Sequence, residues 1–445
     1  MSSTTINIIN ANSLLQDFDL FTDLYGNQTN SFNNLRKFAA EKFNELGVPT
    51  QRNEEWKYLN LSVIAKNEFR SVDHTNGFSI DSNSAKQFHL SGEKAFVYVI
   101  ENGKINIAAS NGKSLPKGLT IGTLSELAND SRVLKHFAQH ADVNTESFVA
   151  LNTAMAFDAM VVLVDDKVKV EDAIQFAFVT NANQANISVP IRVLVITGKH
   201  SECTVVESYH SFNDQHKVFV NAVSEVVVGE DSRVHYTKIQ NESENTIHIN
   251  YHQVNQAKNS YQHITTLCLG ASLLRNNLHI KLDDENCTSY LNGLYVLTGN
   301  QVMDNHTLVD HAMPNCYSNE LYKGLIDDKS QGVFNGKIFV RKDAQKTNAY
   351  QSNKNILLSN DASMNTKPQL EIFADDVKCS HGATTGQIDE EALFYLRSRG
   401  IAEPEARALL NHAFAAAVID QVENESLKES LLLLLSRKLR VMEEV

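Results

Sequence analysis

Val223-Ser224-Glu225-Val226-Val227-Val228 runs directly into Gly229-Glu230-Asp231. The β-branched residues favour an extended backbone, and the Gly/Asp cluster that follows turns the chain. The same unit recurs. Ala95-Phe96-Val97-Tyr98-Val99-Ile100 precedes Glu101-Asn102-Gly103, and Lys337-Ile338-Phe339-Val340 and Gln369-Leu370-Glu371-Ile372-Phe373 are further runs of the same kind. From about Lys94 to Lys378 the chain therefore reads as short strands separated by Asn, Gly, Asp and Ser turns. Few amphipathic helical stretches intervene after about residue 190, so a sheet built from βαβ units fits poorly. So many short strands must still hide their edges. A sandwich pair, a propeller and a β-solenoid all remain open. There is no strict blade repeat, and ladders of polar turns with inward aliphatic positions suit a solenoid best.

The flanks read differently. Residues 1–93 are mostly helical. Ser31 is placed to cap a helix carrying Leu35, Phe38, Ala39, Phe43 and Leu46, with Gly47 and Pro49 as the stop. Glu54-Glu55-Trp56-Lys57-Tyr58 holds the single tryptophan and reads as an aromatic anchor against the main body. Residues 94–385 form the β core and 386–445 a helical end. Asp389 caps a helix from Glu390 to Arg399 that stops at Gly400, and Pro404 opens the next. That second helix carries Ala406, Leu409, Leu410, Ala413, Phe414, Ala417 and Val418 on one stripe. Ser426 and Glu429 have the spacing of a capping box before Leu427, Leu431, Leu434 and Leu435. The helix from Glu390 is apolar on more than one side through Leu393, Phe394, Tyr395 and Leu396, so it needs two neighbours.

The 445 residues suffice for a large core, and 42% hydrophobic with 21% charged residues is ordinary for a globular chain. A net charge of −13 argues against general affinity for nucleic acid or anionic membranes. Met1 to Asn7 has neither a basic nor an apolar signal region, and Leu431 to Leu435 is far too short to span a bilayer. The expected location is cytoplasmic. Cys203, Cys268, Cys287, Cys316 and Cys379 are scattered and contain no Cys-x-x-Cys pair, which leaves no disulfide framework and no zinc ribbon.

Enzymatic signatures are missing. Gly112-Lys113-Ser114 imitates the end of a phosphate loop, but Ile107 stands where its first glycine belongs, and Asn335-Gly336-Lys337 is followed by Ile338. There is no Gly-x-Ser-x-Gly elbow and no His-Glu-x-x-His. Adjacent Asp375 and Asp376 point apart on a strand and make a poor carboxylate pair. His306 and His311, five apart, fall on opposite faces of a strand and read as hydrogen-bonded histidines of a rung. The other histidines are dispersed and carry no assigned role.

Lys378-Cys379-Ser380-His381 closes the β region. Cys379 and His381 share one face of an extended strand, roughly 6.5 Å apart. A thiolate and an imidazole both ligate iron or similar metals. Two ligands do not close a site: either another chain supplies the rest, or the pair is a core cysteine beside a surface histidine. Spacing alone leaves both readings open.

The residues around the pair are more specific. Val333-Phe334-Asn335-Gly336-Lys337-Ile338-Phe339-Val340, Ala344-Gln345-Lys346-Thr347-Asn348-Ala349-Tyr350, Asn355-Ile356-Leu357-Leu358, Pro368 to Ile372, Ala374 to Thr384 and Leu393 to Ile401 together resemble the SufB/SufD family of iron–sulfur cluster assembly scaffolds. Within it, Glu54 to Tyr58 and the order Lys-Cys-Ser-His are similar to the SufD branch, with a SufB-like paralogue as the alternative. The resemblance implies a right-handed parallel β-helix between helical N- and C-terminal parts. It implies a non-catalytic scaffold in a complex with SufB, joined through the β-helix end, and with the ATPase SufC, docked on the C-terminal helices. A homodimer of the isolated chain is compatible with it. The implied cargo is a transient iron–sulfur cluster formed at the SufB–SufD seam. No cofactor is expected to stay on the isolated chain, and a flavin site is left open. His381 is the implied interface ligand, Cys379 its neighbour, and Phe394, Tyr395, Arg397 and Arg399 mark the SufC-docking region. Two rivals come from other classes. One is an extracellular type of β-helix enzyme acting on polysaccharide, which would need a signal segment and a carboxylate cluster. The other is a pure interaction protein in which Cys379 and His381 are inert.

Overall fold

The computed structural model describes residues 12–26, 29–72, 77–183 and 185–439; the Met1 to Asn7 stretch lies outside them. The strands after Phe96 do form a solenoid. Successive strands alternate between two parallel sheets, and the core makes about eight turns. One sheet stacks Tyr261, Thr288, Tyr317, Asn348 and Lys378 in register, and the other stacks Leu273, Val302, Gln331 and Ser363. A parallel β-helix with helices at both ends is the architecture the sequence favoured.

Each strand is wetted on neither face over most of the solenoid. In the strand Val218–Val228, Val220, Ala222, Val226 and Val228 join the core between the sheets, whereas Phe219 and Val223 face outward. Those outward residues pack with Phe43, Phe148 and Val149 of the N-terminal helices and with Leu59 of the segment between them. On the opposite sheet, outward Val206, Ile239, Leu267, Leu294 and Leu325 pack with Val418, Ile419, Leu427, Leu431 and Leu435 of the C-terminal helices. The two helical ends thus clothe the two outer walls. Burial on both sides explains why the strands are continuous apolar runs rather than strict alternations.

Trp56 anchors as expected. Its ring lies 5.5 Å from that of Phe148, and the Arg275 guanidinium stacks 3.9 Å from its centroid. His306 and His311 also behave as rung histidines. His306 contacts Glu55 at 3.3 Å on the outer wall, and His311 pairs inside with Ser318 at 2.9 Å. Several helix details differ from expectation. The helix Asn33–Leu46 follows a short 3-10 turn, so Phe32, not Ser31, occupies its cap, although Gly47 does end it at φ 61°. The helix Glu425–Lys438 is capped by Asn424, whose side chain accepts from the Leu427 amide at 2.9 Å, rather than by Ser426. In Glu403–Ile419 the buried face is Ala406, Asn411, Ala415, Val418 and Ile419, while Leu409 and Ala413 are exposed. An alanine-rich helix carries apolar residues on several faces, so sequence spacing did not single out the buried one.

The core also holds charge. Glu207 and Lys238 pair at 2.8 Å and Arg192 and Glu225 at 2.5 Å, all fully buried. Histidines are kept neutral inside it. Burial pushes His210 down to about 4, and burial with the nearby Lys238 pushes His252 down to about 3; burial does the same to His311. Below pH 6.5 the unfolded chain takes up protons at these three positions and the folded chain does not, so stability falls as pH drops. Glu320, which burial raises to about 7, acts in the opposite sense as a single group. We expect a urea midpoint that decreases continuously from pH 6.5 to 5, by more than about 1 kcal/mol per pH unit in unfolding free energy. A flat profile over that interval in circular-dichroism titrations would contradict the buried neutral histidines.

Candidate functional site at the open end of the solenoid

The two ends of the solenoid are finished differently. At the first end, the antiparallel strands Lys104–Asn106 and Leu119–Thr123 close the two sheets. At the last end, Ser363–Ile372 and Lys378–Gly386 each pair on one side only, with Gln331–Val340 and Asn348–Leu357. Their far edges carry unpaired backbone groups, a state that folded proteins usually blunt. The first of these edges is partly blunted. The amides of Ser363 and Phe373 point inward, to Ser330 and Val340. By the alternation of a parallel ladder, Pro368 then occupies a position whose missing N–H would have pointed outward. The Lys378–Gly386 edge has no proline, and among the described residues no strand pairs with its far side.

Cys379 and His381 lie on that open strand. Cys379 registers with Ala349 and His381 with Gln351, both buried. The pair therefore occupies interior-facing positions of the last turn, with no further rung above. His381 is exposed and Cys379 half-buried against Ile338, Val340, Ala349 and Ala374. This geometry brings the two residues to one face, as the spacing predicts. Burial pushes the Cys379 thiol up, opposed by a backbone hydrogen bond from Ala349. The chain alone does not activate the thiol, so a thiolate there needs a metal or a neighbouring cation.

The column beneath His381 was not legible in the sequence. Ile174, Val205, Tyr236, Ile264, Leu291, Glu320, Gln351 and His381 follow one another through the register of one sheet. It is lined by apolar residues and one tyrosine up to Leu291, and polar from Glu320 onward. The Gln351 amide donates to Glu320 at 2.8 Å. Burial raises the Glu320 carboxyl to about 7, with the Gln351 hydrogen bond pulling the other way. Gly336 faces this pair across the interior: a Cβ there would meet the Gln351 amide at 2.3 Å. A group that ionises near neutrality thus sits two rungs below an exposed imidazole. Only the near-thirty-residue register reveals it, and a scan for local motifs has no signal to find.

The C-terminal positions are arranged as a surface. In Glu390–Ser398, Leu393 is buried against Ile388 and Ala406, whereas Phe394 and Tyr395 are 74% and 57% exposed. Arg399 stacks on Tyr395 at 5.3 Å, and Arg397 pairs with Glu403 at 3.1 Å. One side of the helix is therefore satisfied within the chain and the other bears uncovered aromatic area.

The fold and this uncapped end define a parallel β-helix protein with helices at both ends and, among the described strands, an open last edge. Comparison with known families makes that specific. Residues 178–414 match the family described as SUF system FeS cluster assembly, SufBD core domain, and residues 12–176 match the SufBD protein N-terminal region. The chain belongs to the SufBD family of iron–sulfur cluster assembly proteins and is SufD-like. It is 30% identical over 398 residues to the iron-sulfur cluster assembly protein SufD of Escherichia coli, covering 88% of this chain and 90% of that one. It is 35% identical over 407 residues to an iron-sulfur cluster assembly SufBD family protein of Synechocystis, covering 89% of each. A chloroplastic protein of Arabidopsis thaliana, ABCI7, is 28% identical over 406 residues. No described helix is long and apolar enough to cross a membrane.

Proposed function

We propose that this chain is the SufD-type scaffold subunit of a SufB–SufC–SufD assembly, and that the nascent cluster forms where its open end meets the β-helix of a SufB-type partner. The observation that carries the proposal is the Lys378–Gly386 edge. It presents a free parallel ladder with Cys379 and His381 on the interior-facing side, so a second β-helix abutting it would bring further ligands to an incomplete pair. His381 is the principal ligand from this chain and Cys379 its neighbour. The cluster is cargo, held by thiolate and imidazole until transfer. The energy source is a SufC-type ATPase docked on the C-terminal helices around Phe394, Tyr395, Arg397 and Arg399. Work is thereby divided between a chain without a nucleotide loop and a partner that has one. The setting is the cytoplasm.

The edge can be tested without touching the ligands. The Lys378 amide points inward to Thr347, so by alternation the Ala383 amide points to the open side. Ala383→Pro removes an outward donor and leaves the internal ladder intact. In co-purification with SufB- and SufC-type partners, the variant is expected to lose the SufB-type chain, keep the ATPase and melt at the parental temperature. Retention of the SufB-type chain at parental yield would count against end-to-end pairing.

A further inference from the structure

His235 and His263 are 28 residues apart in sequence and directly opposite in register, on Arg233–Asn241 and Tyr261–Cys268. Both rings lie on the outer wall of their sheet, with centroids 5.9 Å apart and planes at 68°. The turn between Glu403–Ile419 and Glu425–Lys438 crosses over them and delivers Glu423. A Glu423 carboxylate oxygen is 3.5 Å from His235 Nε2. One nitrogen from each ring and one Glu423 oxygen all lie within 4.8 Å of one another. They line a small cleft of about 20 Å³ with Thr204, Thr265 and Asn424, room for one water-sized particle.

The chemistry of this trio suits a cation better than a hydrogen-bonded cluster. Burial lowers the basicity of His235, the charges of Glu423 and Arg233 working against each other there, and burial with the adjacent His235 takes His263 down to about 4. Two neutral imidazoles and a carboxylate then converge at neutral pH. Of the cations that act on His235, Arg233 is held over the Tyr261 ring at 4.3 Å and Lys169 pairs with Glu202 at 3.3 Å. The Asn292 amide nitrogen lies 2.7 Å from His263 Nε2; turned over so that its Oδ1 accepts from the ring N–H, Asn292 is the outer-shell group for that ring. Two imidazoles plus one carboxylate with positions left for water is a donor set for borderline divalent metals. Bonds of roughly 2.1 Å need the ligand atoms closer together, at roughly 3.4 Å in a tetrahedron. Glu423, whose side chain is 64% exposed, is the member free to close the gap.

We propose that His235, His263 and Glu423 bind one divalent transition metal, zinc or ferrous iron, which fastens the C-terminal helices to the wall of the solenoid. The site is separate from the Cys379–His381 end and is carried by its own residues. It places a metal clamp between the β-helix and the helical segment that bears the exposed Phe394 and Tyr395.

The experiment uses the tag-free full chain carrying His381→Ala, so that metal at the open end does not contribute and the two readings fail separately. The metal-stripped protein is titrated by calorimetry with Zn²⁺ and, under anaerobic conditions, with Fe²⁺, and by absorbance with Co²⁺. One saturable equivalent is expected, with a rise in melting temperature and slower hydrogen exchange in residues 403–439 on saturation. Glu423→Gln, at an exposed position, is expected to fold like its parent and to bind about a hundredfold more weakly, as is His263→Ala. Zinc or iron saturating first identifies the metal, and either supports the site. Unchanged affinity in Glu423→Gln, or no saturable equivalent of any of the three metals, would overturn it.

Discussion

Replacing His381 by alanine is expected to abolish cluster formation in the reconstituted complex while leaving the isolated chain folded. His381 is exposed on the last strand, above Gln351 and without a rung beyond it. Removing an exposed side chain there should change stability by no more than about 0.5 kcal/mol. Its loss as the proposed ligand is a different matter. Even groups that only support a ligand cost roughly tenfold in metal affinity when removed, so a cluster lacking one of its few ligands should fall in yield by more than that. Cys379→Ala is the informative companion. Its thiol is half-buried and pushed toward the protonated form, so it contributes a ligand only once metal or the partner is present. A smaller loss is therefore expected for Cys379→Ala than for His381→Ala. The readouts are absorbance and electron paramagnetic resonance after anaerobic reconstitution, beside thermal melts of each free variant. Parental cluster yield from His381→Ala would remove that residue from the site, and parental yield from both variants would favour an interaction protein with inert end residues.

The ease of reading differed along the chain. Val223 to Val228 declared a strand because β-branched residues and a Gly-Glu-Asp turn are local signals. The run Lys337 to Val340 fell inside Gln331–Val340 for the same reason, and the run Gln369 to Phe373 fell inside Ser363–Ile372 except for Phe373, one residue past its end. Asp389 capped its helix because capping depends on only three residues. What failed depended on distance. Which face of Glu403–Ile419 is buried is set by the sheet beneath it, and an alanine-rich sequence does not record that. Polar positions inside the solenoid, such as Glu207, Lys238 and His252, break the expectation of aliphatic inward ladders. Glu207 and Lys238 are tolerated because they pair with each other across rungs, and His252 is kept neutral with its ring packed edge-on to Tyr236. The candidate site divides along the same line. Cys379 and His381 are two apart and could be found together. Glu320 and Gln351 meet His381, and His235 meets His263, only through register, which no short stretch encodes. The family resemblance supplied the parallel β-helix where periodicity had left three architectures open.

The largest stability effect is expected from Glu225→Ala. Glu225 faces outward from Val218–Val228 but is fully buried beneath the segment that follows the helix Ser131–His136. Its carboxylate accepts from the amides of Ala138, His140 and Ala141 at 2.8 to 3.0 Å and pairs with Arg192 at 2.5 Å. Burial by itself would raise this carboxyl, but Arg192 and the amides hold it below its ordinary value. It therefore contributes stability above the unfolded carboxylate pKa, and that contribution is lost as pH falls through the lowered one. Alanine would strand a buried guanidinium and three buried N–H groups together. Breaking a buried pair from one side costs about 3–5 kcal/mol, and the orphaned amides keep the value at the upper end. Arg192 is also stacked at 5.2 Å on Phe137, so its displacement would loosen the same segment. The loss should appear as a fall in urea midpoint and as fast hydrogen exchange in residues 131–155, the part of the N-terminal layer that Glu225 holds down. Glu225→Gln keeps an acceptor for the amides but not the charge for Arg192, and should cost less than alanine. Replacing both partners by methionine removes the uncompensated charge and should recover part of the alanine loss, since a buried pair exchanged for apolar groups of similar size is often near neutral. A cost below about 1 kcal/mol for Glu225→Ala, or a double variant no better than the single one, would show that the layer is held by its apolar contacts with Phe219 and Val223 and not by this ion pair.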